Sequence, residues 1–114
     1  WSYQINTNNY LISNAACQGT DYTSSLQITK DQWSHIVFVL KKDGDAIMFS
    51  DNQKESIPSN NIEVNKTNLK MISNSDGKLK GLIDEIGIWN CALTSEEVEQ
   101  LYNNGNGLQY TEDR

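Results

Sequence analysis

The sequence GLIDEIGIWNCALTSEEVEQLYNNG, residues 81–105, decides the fold, because a strand pattern passes directly into a helix pattern. From Leu79 to Trp89 we predict one long strand, which contributes Trp89 and alternate isoleucines to a core. Beyond it, Thr94 is a suitable N-cap, and Glu97 three residues later completes a capping box. Leu93 and Val98 occupy the positions of a hydrophobic staple beside that cap.

The rest of the chain shows short apolar segments separated by polar turns. The strongest is WSHIVFVL, residues 33–40, where apolar residues on both faces after His35 indicate a strand buried on both sides. Asp43-Gly44 follows as a hairpin turn, residues 6–9 are predicted as a turn, and residues 18–25 are predicted as a loop. Shorter strands are predicted at 1–5, 10–16, 26–28, 46–49 and 69–72. Several strands followed by one helix, at about residues 95–104, indicate an all-β antiparallel sandwich.

The composition narrows the classes of function. The 114 residues suit one domain, and the formal net charge of −6 argues against nucleic acid as a partner. No segment approaches the roughly 20 apolar residues of a membrane helix, so membrane insertion is not expected. The chain begins with Trp1 rather than Met, from which we expect a processed or excerpted product.

Two segments carry a resemblance to a known family. Residues 81–98 strongly resemble the closing motif of laminin-G-like (concanavalin A-like) jelly rolls, in which a Gly-x-Ile-Asp-Glu strand leads into a short helix. Trp33-Ser34-His35 is similar to the Trp-x-His strand of the same family. The resemblance spans about residues 26–108. It implies that residues 1–114 form one laminin-G-like jelly-roll domain with one short C-terminal helix.

The sequence departs from the family pattern in two places. Cys91 stands where a basic residue is common, and only 32 residues precede Trp33, where the family carries several more strands. Two alternatives follow: the domain is minimal, or its first strands lie on another segment or chain. In the second case a sheet edge is left open to pair with a partner.

The resemblance also raises the question of calcium, which many relatives bind through loop carboxylates. The candidate metal ligands are Asp51, Asp76 and Asp84, since Ca²⁺ prefers oxygen ligands. Turn chemistry explains Asp76 before Gly77 equally well. The resemblance therefore implies a Ca²⁺ site at these carboxylates, and the alternative is that they only stabilise turns.

Ligand-binding residues are expected in the loops. The candidates are Tyr22, as an exposed loop aromatic, and three polar residues that can bind sugar hydroxyls: Asn52, Asn74 and Asp76. Trp33 and Trp89 lie in predicted strands, so we expect both to pack in the core, and sugar stacking is the alternative for each.

Catalysis is not expected. Glucanases of this fold use two carboxylates on one face of a strand. Asp84 and Glu85 are adjacent, so in a strand they point to opposite faces. His35, the single histidine, has no nucleophile at a telling spacing and is expected to pack beside Trp33 and Val37.

The two cysteines, Cys17 and Cys91, have two alternative states. In an oxidising compartment they can form a disulfide worth about 3–4 kcal/mol in the chain-entropy model. Otherwise they are two unpaired thiols.

These observations favour a non-catalytic binding or adhesion module that recognises glycan or a protein surface. The alternative is a structural decoration or assembly module of a virion, such as a phage, or of a surface polymer, in contact with neighbouring subunits. Both place the protein outside the cell, at the cell surface or at a virion surface.

Overall fold

The computed structural model describes residues 3–13, 22–41, 45–57 and 81–108. These residues form two three-stranded antiparallel sheets, one α-helix and a 3₁₀ turn, which confirms the all-β class with a short helix. The elements are β1 (Tyr3–Ile5), β2 (Tyr10–Ser13), β3 (Tyr22–Gln27), β4 (Ile36–Val39), β5 (Ala46–Ser50), β6 (Gln53–Ile57), α1 (Ser95–Tyr102) and the 3₁₀ turn Asn103–Gly105.

The first sheet has the order β1-β2-β3 and depends on a tight turn between β1 and β2. The Asn6 side-chain oxygen accepts hydrogen bonds from the backbone amides of Asn8, at 3.0 Å, and Tyr10, at 2.9 Å. Asn9 has a φ of 66°, which asparagine tolerates better than most residues. The Asn-rich segment at residues 6–9 therefore forms a turn held by its own side chain, as predicted.

The second sheet has the order β4-β5-β6, with β5 in the centre. Neighbouring residues along β5 point to opposite faces. Met48 faces the first sheet, whereas Phe49 pairs with Val37 on the other face. Asp51 and Asn52 form the two-residue turn between β5 and β6, because Ser50 pairs with Gln53.

Two hydrophobic clusters hold the layers together. One lies between the sheets and consists of Leu11, Leu26, Ala46, Met48 and Ile57. The other joins the second sheet to the helix and consists of Val39, Phe49 and Val98. Since β5 contributes to both, the second sheet is the middle layer, with the first sheet on one face and α1 on the other. Burying one such aliphatic side chain stabilises the fold by about 1.5–3 kcal/mol.

Helix α1 begins at the predicted cap and ends at Tyr102, about two residues before the predicted end. The Thr94 hydroxyl accepts from the Glu97 amide at 3.2 Å, and the Glu97 carboxylate accepts from the Thr94 amide at 2.8 Å. Leu93 packs against the cluster that contains Val98, which confirms the staple. The left-handed cap falls at Asn103, with a φ of 48°, two residues before Gly105. No helix in the described part of the chain has the length and apolar character required to cross a membrane.

The strand predicted over residues 79–89 is wrong for the part that the structure describes. Residues 81–94 carry no strand, and Trp89 is 48% exposed rather than packed in a core. An alternating pattern becomes a strand only when a neighbour supplies the hydrogen-bonded ladder, and no described strand pairs with this segment.

Trp33 is likewise not a core residue, because it is 68% exposed and lies before β4 begins at Ile36. The ladder with β5 starts at the pair Ile36 and Ser50, so residues 33–35 have no partner strand there. Trp33 is exposed because it lies three residues before the first hydrogen-bonded pair of β4 and β5, although its side chain is apolar.

One strand was predicted only in part, and another was not predicted. β3 begins at Tyr22, inside the predicted loop over residues 18–25, so the strand predicted at 26–28 covers only its end, and β6 spans Gln53–Ile57. Ser24 in β3 is buried, and its hydroxyl donates to the Leu11 carbonyl at 2.7 Å. A serine satisfied in this way can occupy a core position that looks loop-like in the sequence. The predicted Asp43-Gly44 turn lies outside the described residues.

Candidate functional site

A groove of about 260 Å³ lies beside helix α1. It is lined by Trp89, Cys91, Leu93, Glu97, Gln100, Leu101 and Leu108. The segment before the helix, the helix and the chain after it each contribute, so the short helix organises the whole groove. Apolar side chains with a few polar groups at one site are typical of small-ligand sites.

The aromatic side of the groove depends on Gly87. The Trp89 indole lies directly against Gly87, where a Cβ atom would stand 2.4 Å from Cη2 and 2.8 Å from Cζ3 of the ring. Real Cβ atoms essentially never approach a ring carbon so closely. Glycine at position 87 is therefore required for the observed position of the indole.

The polar side of the groove comes from the exposed face of α1. Glu97 uses one carboxylate oxygen, Oε2, to accept from the Thr94 amide, which fixes the side chain at the helix start. Gln100 lies one turn further along and brings both a donor and an acceptor. An amide and a carboxylate beside an aromatic ring can bind neighbouring hydroxyl groups of a ligand.

The segment that forms the groove, residues 81–108, is acidic, and one lysine from β6, Lys54, donates to the Ser95 hydroxyl at the start of α1 at 3.3 Å. Residues 81–108 contain five carboxylates and no lysine, arginine or histidine. The five are Asp84, Glu85, Glu96, Glu97 and Glu99. This charge favours neutral or cationic ligands and disfavours anionic ones.

Tyr22, a predicted ligand residue, belongs to a different place, where β3 meets β6. The charge of the Glu55 carboxylate raises the pKa of the Tyr22 phenol, and burial and a hydrogen bond to Glu55 add to the rise. Glu55 also accepts from the Ser25 hydroxyl at 2.6 Å and from the Ser25 amide at 3.1 Å. The phenol is thus part of a link between the two sheets.

Asp51 and Asn52 lie in the β5–β6 turn, where Asp51 is engaged with His35. The Asp51 carboxylate accepts from the His35 amide at 2.9 Å, and Asp51 has a φ of 54°. His35 is half-buried, and burial lowers the pKa of its imidazole, partly offset by the charge of Asp51. Asn52 is exposed.

Of the three predicted calcium ligands, the structure describes Asp51 and Asp84, and Asp76 lies outside the described residues. Asp84 is exposed, and its carboxylate accepts from the neighbouring Glu85 amide at 2.9 Å. Among the residues that the structure describes, no three metal-ligating side chains form a group. Asn74 also lies outside those residues. Ca²⁺ binding stays a prediction. One carboxylate oxygen of Asp51, Oδ1, already accepts from the His35 amide.

Cys91 is an exposed thiol on the wall of the groove. Its predicted disulfide partner, Cys17, lies outside the described residues. The disulfide therefore stays a prediction.

The sequence did not indicate Glu55, Gln100 or Leu108 as functional residues. A signal existed for Gln100, because Glu97, Gln100 and Leu101 have the helical spacing that places residues on one face. Glu55 had no local signal, since its partners Tyr22 and Ser25 lie 30 or more residues earlier in the chain.

Comparisons with known proteins complete the description. The family model Laminin_G_3, described as the concanavalin A-like lectin/glucanases superfamily, matches residues 1–99. A search of curated proteins gives no match. A solved structure of an S-layer domain-containing protein from Clostridium thermocellum is similar, with 19% sequence identity and a TM-score of 0.48. The similarity covers 83% of this chain and 57% of that one, so this chain spans little more than half of its length.

Proposed function

Since the chain belongs to the concanavalin A-like lectin/glucanase superfamily, we propose that it is a non-catalytic, surface-associated binding module that recognises glycan. The groove beside α1 is the proposed site. The observation that carries the proposal is the half-exposed Trp89 indole, which lines the groove with Glu97 and Gln100 in a position that only glycine at residue 87 leaves free.

The chemistry of the groove suits a sugar. A pyranose ring has an apolar face of C–H groups that can lie on an indole, and hydroxyl groups at its edge that need donors and acceptors. Trp89 supplies the first contact, and the Gln100 amide and the free oxygen of Glu97 supply the second. The volume of about 260 Å³ lies just below the range of about 300–1,000 Å³ that is usual for ligand pockets, so the proposed bound unit is short.

The charge around the groove selects among glycans. Five carboxylates without a basic residue in residues 81–108 repel sulfated and uronic-acid polymers. Neutral sugars and amino sugars are the proposed ligands. A glycan ligand suits a protein that lies outside the cell or at a cell surface. A virion surface is the alternative location.

A glycan array with neutral, amino-sugar and acidic glycans, with and without Ca²⁺, tests the proposal. We expect binding to neutral or amino sugars that Trp89→Ala abolishes. Gly87→Val should weaken the same binding, because the new side chain displaces the indole. Trp33→Ala is the matched control, since Trp33 is exposed but is not among the residues that line the groove. Binding that survives Trp89→Ala, or is lost equally in Trp33→Ala, would contradict the site.

A separate observation, the exposed apolar side chains before α1, favours a second function, which is assembly with neighbouring copies of the chain. Leu82, Ile86 and Ile88 lie within seven residues of one another in the chain and are 80%, 56% and 69% exposed, and exposed apolar patches are typical of protein contact sites. Sedimentation equilibrium over a range of concentrations tests it. Assembly predicts association that Ile86→Ser together with Ile88→Ser prevents, whereas a monomer at every concentration would contradict assembly.

A further inference from the structure

The turn that follows α1 contains both Asn-Gly pairs of the sequence, Asn104-Gly105 and Asn106-Gly107. Glycine after asparagine leaves the next backbone amide unshielded, because glycine has no Cβ. The amide nitrogen can then reach the side-chain carbonyl carbon of asparagine. Both asparagines are exposed to water.

The structure treats the two pairs differently. Gly107 is held at both ends of its backbone: its amide donates to the Tyr102 carbonyl at 3.1 Å, and its carbonyl accepts from Asn103 Nδ2 at 2.9 Å. Both bonds must break before the Gly107 nitrogen can approach the Asn106 side chain.

The other pair lies inside the kinked 3₁₀ turn Asn103–Gly105. Asn104 has a φ of 53° and a ψ of 34°, and it directly follows Asn103, which is also left-handed. Two successive left-handed residues that are not glycine store backbone strain, and 3₁₀ hydrogen bonds have poor geometry. Opening this turn therefore costs less than releasing Gly107.

We propose that Asn104 is a site of spontaneous deamidation, with water as the co-reactant, and that Asn106 is protected. The Gly105 nitrogen attacks Cγ of Asn104, a new N–Cγ bond forms, and the Cγ–Nδ2 bond breaks. The Gly105 amide proton passes through solvent to Nδ2, which leaves as ammonia. Water then opens the five-membered imide at either carbonyl and gives aspartate or isoaspartate.

The modification changes both charge and geometry near the groove. A new carboxylate at position 104 lies just beyond the negative end of the α1 dipole, where an anion is unfavourable. Isoaspartate also inserts a methylene group into the backbone of the turn that leads to Leu108, which lines the groove. Deamidation thus alters the groove from the far end of the helix, and it occurs whether or not the groove binds glycan.

The test follows both sites in the folded 114-residue chain during incubation at neutral pH. Cleavage after Glu99 and Glu112 releases one peptide that contains both pairs, and fragment masses then assign the modified residue. We expect Asn104 to react about fivefold faster than Asn106, the factor that corresponds to one additional hydrogen bond of about 1 kcal/mol. In urea the two rates should become equal.

Asn103→Gly is the matched variant, because glycine keeps the left-handed conformation and removes the clamp on the Gly107 carbonyl. We expect it to accelerate the reaction at Asn106 and to reduce the difference between the two sites. An Asn106 rate equal to or above that of Asn104 in the folded wild-type chain would overturn the proposal. So would a difference that persists in urea, since it would then come from local sequence.

Discussion

His35 and Asp51 hold the start of β4 and the β5–β6 turn together through a reciprocal pair of hydrogen bonds. The His35 amide donates to the Asp51 carboxylate at 2.9 Å, and the Asp51 amide donates to the His35 carbonyl at 2.8 Å. The His35 ring also lies 5.9 Å from the Tyr102 ring, centroid to centroid. One short contact region thus connects a strand, a turn and the end of α1.

The first prediction concerns the Asp51 carboxylate. Asp51→Ala should lower the free energy of unfolding by about 1–3 kcal/mol, because it removes a charge-assisted bond to a backbone amide. Asp51→Asn keeps an acceptor oxygen and should lose less. Asn52→Ala, in the same turn but exposed, is the control and should stay within about 0.5 kcal/mol of the wild type. Urea denaturation measures all three, and equal losses at positions 51 and 52 would contradict the role of Asp51.

The second prediction is a pH dependence that comes from His35. Burial lowers the pKa of His35 below 6.5 in the folded protein, so below that pH the unfolded chain binds more protons. The contribution of His35 to stability is therefore fully present above pH 6.5, decreases as the pH drops below that value, and stops changing below the folded-state pKa.

The urea midpoint at about pH 7.5 and at about pH 5.5 measures this effect on both sides of the histidine titration. His35→Gln removes the titrating group, so its midpoint should change less between the two conditions than that of the wild type. Asp51 and Tyr102 are the neighbours that face the imidazole region, so Tyr102→Phe, which keeps the ring, is the control and should retain the wild-type dependence.

The third prediction concerns the link between the sheets at Tyr22. Because the charge of Glu55 raises the pKa of the Tyr22 phenol, Glu55→Gln should return that pKa towards its ordinary value of 10.0. The ultraviolet absorbance of phenolate against pH shows the shift, and subtraction of the Tyr22→Phe titration isolates the contribution of Tyr22. Gln53→Glu, on the same strand, is the control and should leave the pKa of Tyr22 raised. A Tyr22 titration that Glu55→Gln leaves unchanged would show that the two side chains do not interact in solution.

The fourth prediction concerns the capping box of α1. Thr94→Ala should reduce the free energy of unfolding by about 1 kcal/mol and lower the helical signal in circular dichroism. Glu97→Ala should disrupt the same capping box. The double variant should therefore lose less free energy of unfolding than the sum of the losses in the two single variants. Glu99→Ala, on the same helix but outside the box, is the control. Strict additivity of Thr94→Ala and Glu97→Ala would contradict the reciprocal geometry.

Features governed by residues close in the chain were predictable. Helix α1, its cap at Thr94 and the turn at residues 6–9 depend on bonds between residues no more than four positions apart. The all-β class followed from the same kind of pattern. Family membership was predicted from residues 81–98, and the family model that matches residues 1–99 confirms it.

The candidate site was less predictable. Tyr22 was expected as a free loop aromatic, yet it is bound to Glu55 across two sheets. Trp89 was expected in the core, yet it lies at the groove on Gly87. The surroundings of Tyr22 and of Trp89 depend on which distant element of the chain packs against each side chain. The residues next to them in the sequence do not indicate that element.

The chain alone thus determined its helix, its turn at residues 6–9 and its β character, because capping bonds and alternating side chains act over a few residues. Only the tertiary structure decided that β5 would serve two cores, that Ser24 would be buried, and that Glu55 would join the sheets. These features require contacts between residues 13 to 30 positions apart or more. Such contacts are chosen by the packing of whole layers, since each face of a sheet is buried only when another layer lies against it.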